Sequence, residues 1–187
     1  MSILLRSFFL SPTLLVAREL LGKTLVTGED RFTIVETEAY TVEDPACHAF
    51  RGKSRANASM FGPPGRAYIH INYGVHHCLN VVCQPEGIPE AVLIRALSPL
   101  RHDDSGDDLP RLRGLYAGPG RLARELHVRK ETHDGIDLLN PASPLLLASG
   151  DEVPDSAVTI TTRIGITKAA DYPWRFYVTG SKMVSRR

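Results

Sequence analysis

Residues 31–40 read RFTIVETEAY, and this stretch decides the fold because it has the two-residue period of a β-strand. The alternation predicts that Ile34, Glu36, Glu38 and Tyr40 share one face of the strand. Neighbouring carboxylates on one face repel each other, so this face either meets solvent or places one glutamate in a polar site. From this stretch alone both alternatives stay open.

The hydrophobic pattern on either side of this strand predicts further short elements. They are helices over 12–21 and near 120–127, and strands over 23–27, 66–73, 75–83, 91–97, 158–166 and 174–179. A long Gly-, Pro- and Ser-rich loop spans 41–65, a length that is typical of functional loops, and 101–117 reads as an exposed connection. Helices at intervals around hairpin-linked strands indicate an α+β fold with an antiparallel or mixed sheet.

The bulk composition is that of a soluble protein with a real core. The chain has 187 residues, of which 43% are hydrophobic and 23% charged, which fits one domain or at most one and a half. It has no apolar run of the roughly 18 residues that a membrane helix needs, and no signal-peptide cleavage pattern. Three cysteines, an odd number, favour a reducing compartment. We therefore expect a cytoplasmic protein (nucleoid-associated if bacterial) or a nuclear one, and not a secreted one.

The net charge is only +1, but acidic and basic residues are unevenly distributed along the chain. From Pro45 to Pro85 there is no Asp or Glu, whereas the chain average predicts about four or five. The same stretch carries basic residues, namely Arg51, Lys53, Arg55, Arg66 and four histidines. Arginine outnumbers lysine 17 to 5, and its planar fork suits phosphate oxygens. The stretch is either an ordinary solvated face or a surface that meets phosphate.

The second predicted hairpin, AYIHINYGVHHCLN at 67–80, carries rings in unusual places. Tyr73 and Gly74 lie at or near its tip, where a tyrosine either packs against a neighbour or acts as a wedge between base steps. Tyr68 and His70 share one face, where rings can stack on a base.

Polar residues inside apolar segments form a further group of candidates. Arg95 in AVLIRAL needs a carboxylate, a carbonyl set or a phosphate, unless it snorkels at a sheet edge. Asn80 is either a satisfied core amide or a ligand contact. Gly120 and Arg121 begin the helix of GPGRLARELH, where exposed N–H groups favour an anion.

A zinc site is not expected. The candidate ligands are His70, His76, His77, Cys78 and Cys83, but successive strand residues point to opposite faces and cannot converge on one ion. The usual zinc-binding spacings are also absent from the sequence. The cysteines read as small buried hydrophobes.

Taken together, these segments resemble the alkyladenine (3-methyladenine) DNA glycosylase family. The matching pieces are, in order, LARELLGKTLV, IVETEAY with EDPACH, NASMFGPPGRAYIHINYGVHHCLNVV, VLIRALSP, GPGRLARELHV, RIGI and RFYVTGS. The resemblance implies a single domain over 1–187, with a curved, mostly antiparallel or mixed sheet, flanking helices and a protruding hairpin that inserts into DNA.

The resemblance also implies catalytic and base-pocket roles. Glu38 matches the glutamate that activates a water, and Arg95 the arginine that supports the water site and a nearby phosphate. Tyr40 matches the tyrosine that stacks on the flipped base. His48 matches the histidine that reads the base edge, and Asn80 the asparagine that crowds a guanine 2-amino group.

Two hairpin residues complete the implied site. Tyr73 matches the tyrosine that fills the gap in the base stack, whereas His70 stands where the family pattern has a tyrosine, which puts the range of lesions in doubt. The expected phosphate contacts are Arg51, Arg55, Arg66, Gly120 and Arg121.

The implied activity is removal of alkylated adenines from damaged double-stranded DNA, with hypoxanthine and etheno-adenine as further candidates. Because none of the five lysines lies in the matched site, we expect a monofunctional enzyme without a lyase step. We also expect that it needs no metal and no cofactor and that it is a monomer. Two alternatives are a damaged-nucleic-acid binding module without turnover and a hydrolase of free nucleosides.

Overall fold

The strand predicted over 31–40 is the longest in a curled eight-stranded sheet. The computed structural model describes residues 2–72, 74–100 and 108–185. Their strands are β1 (Thr24–Thr27), β2 (Asp30–Tyr40), β3 (Ala67–Asn72), β4 (His76–Cys83), β5 (Glu90–Pro99), β6 (Leu146–Ala148), β7 (Val158–Thr161) and β8 (Arg175–Val178). Their helices are α1 (Thr13–Glu19), α2 (Leu109–Tyr116), α3 (Pro119–Glu125) and α4 (Lys130–His133), with 3₁₀ turns at Arg6–Leu10, Ala58–Phe61 and Asp155–Ala157.

The sheet is antiparallel in every described pairing. Its order is β3-β4-β5-β2-β1-β6, and β8 pairs with both β2 and β7. One edge of β2 pairs with β5 over nearly its whole length, while the other edge pairs first with β1 and then with β8. The α+β class and the single domain with an antiparallel sheet are thereby confirmed. The exact bounds 1–187 stay a prediction.

The register between β2 and β5 is irregular on both sides of Glu36, where β2 changes its second neighbour. Strict alternation would place Ile34 and Ala39 on opposite faces, yet both belong to the main core. Irregular pairing bends a strand and re-aims its side chains. Glu36 and Glu38 accordingly contact Arg95 of β5, and the predicted shared face of Ile34 with the glutamates does not hold across Glu36.

Helix α1 covers the core side of the sheet. Val16, Ala17 and Leu20 are fully buried, and the Thr37 hydroxyl donates a hydrogen bond to the Ala17 carbonyl at 2.7 Å. None of the helices in the described ranges is long and apolar enough to cross a bilayer.

The loop predicted over 41–65 has an apolar cluster of its own. Cys47, Ala49 and Met60 are buried against Tyr68 and other residues of the sheet. These contacts fix an otherwise irregular segment beside β3 and β4, where it borders the site.

Two boundary predictions are wrong. The 101–117 connection is not exposed throughout, because α2 spans Leu109–Tyr116 and buries Leu112 against Val35 and Met183; residues 101–107 lie outside the described ranges. The strand predicted over 158–166 ends at Thr161, since Arg163 turns inward to form a buried ion pair.

Candidate active site

A cavity of about 150 Å³ lies where the end of β2 meets β3, β4 and β5. The loop 41–65 and residues 164–166 contribute further lining residues. Five residues predicted from the sequence line this one cavity, namely Tyr40, His48, His70, Asn80 and Arg95. Positions far apart in the chain therefore converge on one site.

Glu38 lies directly behind the cavity wall and does not line it. It is fully buried, so the solvent-face alternative is wrong. Oε1 accepts a hydrogen bond from the Ile164 amide at 2.8 Å. Oε2 accepts one from the Tyr40 hydroxyl at 2.9 Å and lies 3.1 Å from Nη1 of Arg95. All three partner residues line the cavity, so the carboxylate is one side chain away from it.

Glu36 has a different environment, although it is also fully buried. Oε1 accepts hydrogen bonds from Nε of Arg95 at 3.0 Å, Nε of Arg175 at 2.8 Å and the Ser185 hydroxyl at 2.8 Å. Oε2 accepts one from the Ser185 amide at 2.6 Å. A carboxylate offers about four acceptor positions. Glu36 fills four, whereas Glu38 accepts two hydrogen bonds from the described residues, makes one ion-pair contact with Arg95 and retains capacity for another donor.

Arg95 joins the two carboxylates. It is 5% exposed, so the alternative of a snorkelling edge arginine is wrong. Burial by itself would lower the pKa of Arg95, but the charges of Glu38 and Glu36 outweigh it and raise the pKa. Two arginines, Arg95 and Arg175, thus face two glutamates in a buried set whose formal charges cancel, as buried ions require.

The ring of Tyr40 is held by a cation that does not line the cavity. The Arg163 guanidinium lies 4.7 Å from the Tyr40 ring centroid and 5.0 Å from that of Trp174. Nη1 of Arg163 donates to the Ala39 carbonyl at 3.0 Å and to Asp44, and the side chains of Arg163 and Asp44 are fully buried. Burial first, and then the charge of Glu38, raise the pKa of Tyr40 well above its usual value, so its phenol stays neutral.

Two imidazoles line the same cavity. The His48 and His70 rings meet edge to face with centroids 4.3 Å apart. Nδ1 of His48 lies 2.9 Å from the Tyr68 hydroxyl. Burial, reinforced by His48 and then Lys130, lowers the pKa of His70 to about 3, and burial and Lys130 also lower that of His48. Both rings are therefore neutral near pH 7.

The Asn80 amide faces Nδ1 of His70. Its amide nitrogen donates to the carbonyls of Tyr68 at 2.9 Å and Cys78 at 3.2 Å, and lies 3.1 Å from Nδ1 of His70. An amide nitrogen cannot accept a hydrogen bond, so this contact disfavours a proton on Nδ1 of His70 and favours the tautomer protonated at Nε2. Asn80 is thus both a satisfied core amide and part of the cavity wall.

Lys130 lies beside the site, which the sequence did not predict. It lines a groove next to the cavity together with His48, Tyr68 and His70. Its ammonium group donates to the carbonyls of Ala56 and Ile69, both at 2.8 Å. These bonds hold the amine in place and orient its charge toward the two histidines.

The hairpin tip is only partly described. Tyr73 lies outside the described residues, whereas Asn72 and His76 on either side are exposed. Gly120 lies against His76, and a Cβ at Gly120 would lie 3.1 Å from the His76 Cβ, so a larger residue there would have to displace the His76 side chain slightly.

The four arginines among the predicted phosphate contacts fall into two groups. Arg51, Arg55 and Arg121 are exposed. Arg66 is half-buried just before β3, at the end away from the tip, and donates to the Gly135 carbonyl at 2.9 Å. The structure therefore does not bring Arg66 together with the cavity.

The histidines and cysteines are dispersed. Over residues 2–72, 74–100 and 108–185, no group of three or more His, Cys, Asp or Glu side chains is placed to hold a metal ion. Cys47, Cys78 and Cys83 are buried free thiols, and burial raises the pKa of Cys47 and of Cys78 to about 11.

Several residues of the site were missed because their partners are distant in the chain. They are Asp44, Lys130, Ile164, Arg163, Arg175 and Ser185. The sequence signal for Arg163 was a charged residue beside apolar ones in RIGI, residues 163–166. This signal does not identify the residue with which Arg163 pairs.

The chain is similar in sequence to known proteins over nearly its whole length. The sequence profile described as methylpurine-DNA glycosylase (MPG) matches residues 7–182. A protein of Rhodopseudomonas palustris (strain HaA2) is 45% identical over 96% of this chain and 89% of its own length. A protein of Carboxydothermus hydrogenoformans is 42% identical over 97% of this chain and 98% of its own length. A protein of Methanoculleus marisnigri is 43% identical over 97% of this chain and 97% of its own length. Each of the three is named "Putative 3-methyladenine DNA glycosylase".

The class defined by this match is that of enzymes which cleave N-glycosidic bonds in DNA. The chain belongs to the methylpurine-DNA glycosylase family, and the resemblance inferred from its motifs is confirmed. DNA is therefore its substrate.

Proposed function

We propose that this enzyme hydrolyses the bond between sugar and base at alkylated or otherwise damaged purines in duplex DNA, in the first step of base excision repair. The observation that carries the proposal is a cavity of ring size whose wall includes Arg95, with the buried Glu38 immediately behind it. About 150 Å³ is enough for an aromatic ring, so the base alone enters. A base inside a duplex cannot reach such a cavity and must flip out first.

The base is held by stacking and by hydrogen bonds. Tyr40 provides a ring face supported by Arg163, and the neutral His70 and His48 provide a second pair of rings. Nε2–H of His70 is a donor that suits an acceptor atom on the base edge. Asn80 narrows the wall and disfavours a purine that carries a 2-amino group.

Glu38 is the proposed general base. It accepts one proton from a water whose oxygen bonds to the sugar C1′. The bond between C1′ and the base nitrogen breaks, and its electron pair leaves with the base. The products are an abasic sugar with a hydroxyl group at C1′ and a free base. A cationic alkylated purine leaves as a neutral base, whereas a neutral purine leaves as an anion that takes up a proton from solvent. Arg95 orients the carboxylate and the water.

A lyase step would require an amine that attacks C1′. Two lysines of the described residues, Lys130 and Lys168, line grooves next to the cavity, and the amine of Lys130 already donates to two carbonyls. We therefore propose that the enzyme is monofunctional.

DNA contacts are proposed for the exposed end of the β3–β4 hairpin, with Tyr73 entering the stack, and for the exposed Arg51, Arg55 and Arg121. We further propose that the enzyme acts as a monomer without metal or cofactor. Its proposed location is the cytoplasm or the nucleus, in keeping with its unpaired cysteines.

The test is single-turnover base release from duplex oligonucleotides that carry hypoxanthine or etheno-adenine, and from methylated duplex DNA. Glu38→Gln is compared with wild type, and Glu86→Gln is the control because Glu86 is exposed and away from the cavity lining. We expect wild type and Glu86→Gln to release base, and Glu38→Gln to bind duplex without releasing it.

Two results would contradict the proposal. Binding of damaged duplex by wild type with no release from any of these substrates would favour the binding module. Release from free nucleosides with no preference for duplex DNA would favour the nucleoside hydrolase.

A further inference from the structure

We infer that Ser185 is a positioning residue of the active site, which fixes the orientation of Arg95 through a shared contact with Glu36. The inference rests on the proposed function of Arg95 and Glu38. The Ser185 hydroxyl donates to Oε1 of Glu36 at 2.8 Å and accepts from Nη2 of Arg95 at 3.3 Å. The same hydroxyl thus bridges both members of a buried ion pair.

The guanidinium of Arg95 is held at three nitrogens by three different residues. Nε donates to Glu36 at 3.0 Å, Nη1 lies 3.1 Å from Glu38, and Nη2 donates to Ser185. A planar guanidinium fixed at all three nitrogens has one orientation, whereas one held by carboxylates alone can tilt between them. The third contact therefore determines how Nη1 faces Glu38.

The segment that carries Ser185 is anchored by burial. Met183 and Val184 are buried, and Met183 packs with Val35, Ala96 and Leu112. The Ser185 amide adds a 2.6 Å hydrogen bond to Oε2 of Glu36. A variant that lacks only the hydroxyl keeps the apolar anchor and the amide contact, so its effect reports the hydroxyl alone.

Ser185 does not line the cavity. Its removal is therefore expected to slow the chemical step while leaving duplex affinity unchanged. Loss of one hydrogen bond between a hydroxyl and charged groups corresponds to a decrease of about tenfold in rate.

The experiment compares Ser185→Ala, Ser185→Thr and Ser181→Ala. Ser181 is the matched control, since it lies in the same segment and its hydroxyl oxygen accepts only the Met183 amide at 3.2 Å among the contacts of the described residues. The measurements are the single-turnover rate at saturating enzyme, the Kd for lesion duplex and the thermal midpoint. A fourth measurement, which needs no turnover, is the hydrogen-exchange rate of the Arg95 Nε–H by ¹⁵N NMR, assigned with Arg95→Lys.

Ser185→Ala is expected to lower the rate about tenfold with Kd unchanged within about twofold, and to speed exchange at the Arg95 Nε–H. Ser185→Thr should have the wild-type single-turnover rate and the wild-type exchange rate at the Arg95 Nε–H. Ser181→Ala should also match wild type in these two rates. A wild-type rate and unchanged exchange in Ser185→Ala would overturn the inference, as would an equal loss in Ser181→Ala. If wild type itself releases no base, the proposed function fails, and the exchange data still decide whether Ser185 orders Arg95.

Discussion

The ion pair between Arg163 and Asp44 gives the sharpest stability prediction. Both side chains are fully buried, and Arg163 also donates to the Ala39 carbonyl. In Arg163→Met, the Asp44 carboxylate would stay buried with the Ala46 amide, 2.9 Å away, as its remaining described donor. Removal of one partner from a buried pair costs about 4 kcal/mol of unfolding free energy. In a domain of this size that corresponds to a thermal midpoint lower by roughly 12 °C.

The assay is urea and thermal unfolding of Arg163→Met, Asp44→Asn and the double variant. The double variant should lose less than the sum of the two single losses, because it leaves no uncompensated charge in the interior. The control is Arg18→Met, which breaks a pair with Asp155, whose side chain is 94% exposed, and should cost less than about 1 kcal/mol.

Two results would contradict this role of the buried ion pair. One is a loss in Arg163→Met no larger than that in Arg18→Met. The other is strict additivity of the Arg163 and Asp44 substitutions, which would show that the charges do not interact.

Three further predictions concern the site. The pKa of His70 is lowered to about 3 in the folded protein from an ordinary value near 6.5. As the pH drops, the unfolded chain therefore protonates at this histidine before the folded protein does. The free energy of unfolding should fall between pH 6.5 and pH 3, by at most about 1.4 kcal/mol per pH unit. Unfolding of His70→Tyr measured across this range should show a shallower fall, and an identical pH slope would contradict the assignment. Borohydride added during turnover should trap no covalent complex with DNA, because the Lys130 amine is held by two carbonyls; a trapped complex lost in Lys130→Met would refute this. Arg51→Ala and Arg55→Ala should each lower the slope of log affinity against log salt by about 0.9, measured by duplex titration, while Arg66→Ala, bound to a carbonyl, should leave the slope unchanged.

The local elements could be predicted because their signals are local. The two-residue period of 31–40 marks β2, and Pro12 marks the start of α1. Helix α2 was missed because it is stabilised by the packing of Leu109 and Leu112 against Val35 and Met183, which are distant in the sequence.

Part of the site could likewise be predicted from the sequence, and part could not. Motif resemblance brought Tyr40, His70 and Arg95 to one pocket, and the structure places all three on the wall of one cavity. Nothing in the motifs indicated that Glu38 would lie behind that wall, or that Lys130 would lie beside it.

Seven of the eight described strands, the loop between β2 and β3 and the residue types of the pocket could be predicted from the sequence, because periodicity and turn chemistry act over a few residues; β6 was missed and the end of β7 was wrong. The pairing of the charges follows from the tertiary structure alone. Asp44 meets Arg163 across 119 positions and Glu36 meets Ser185 across 149. Whether a carboxylate is wet or buried, and which donors it accepts, depends on segments that approach only when the sheet has formed.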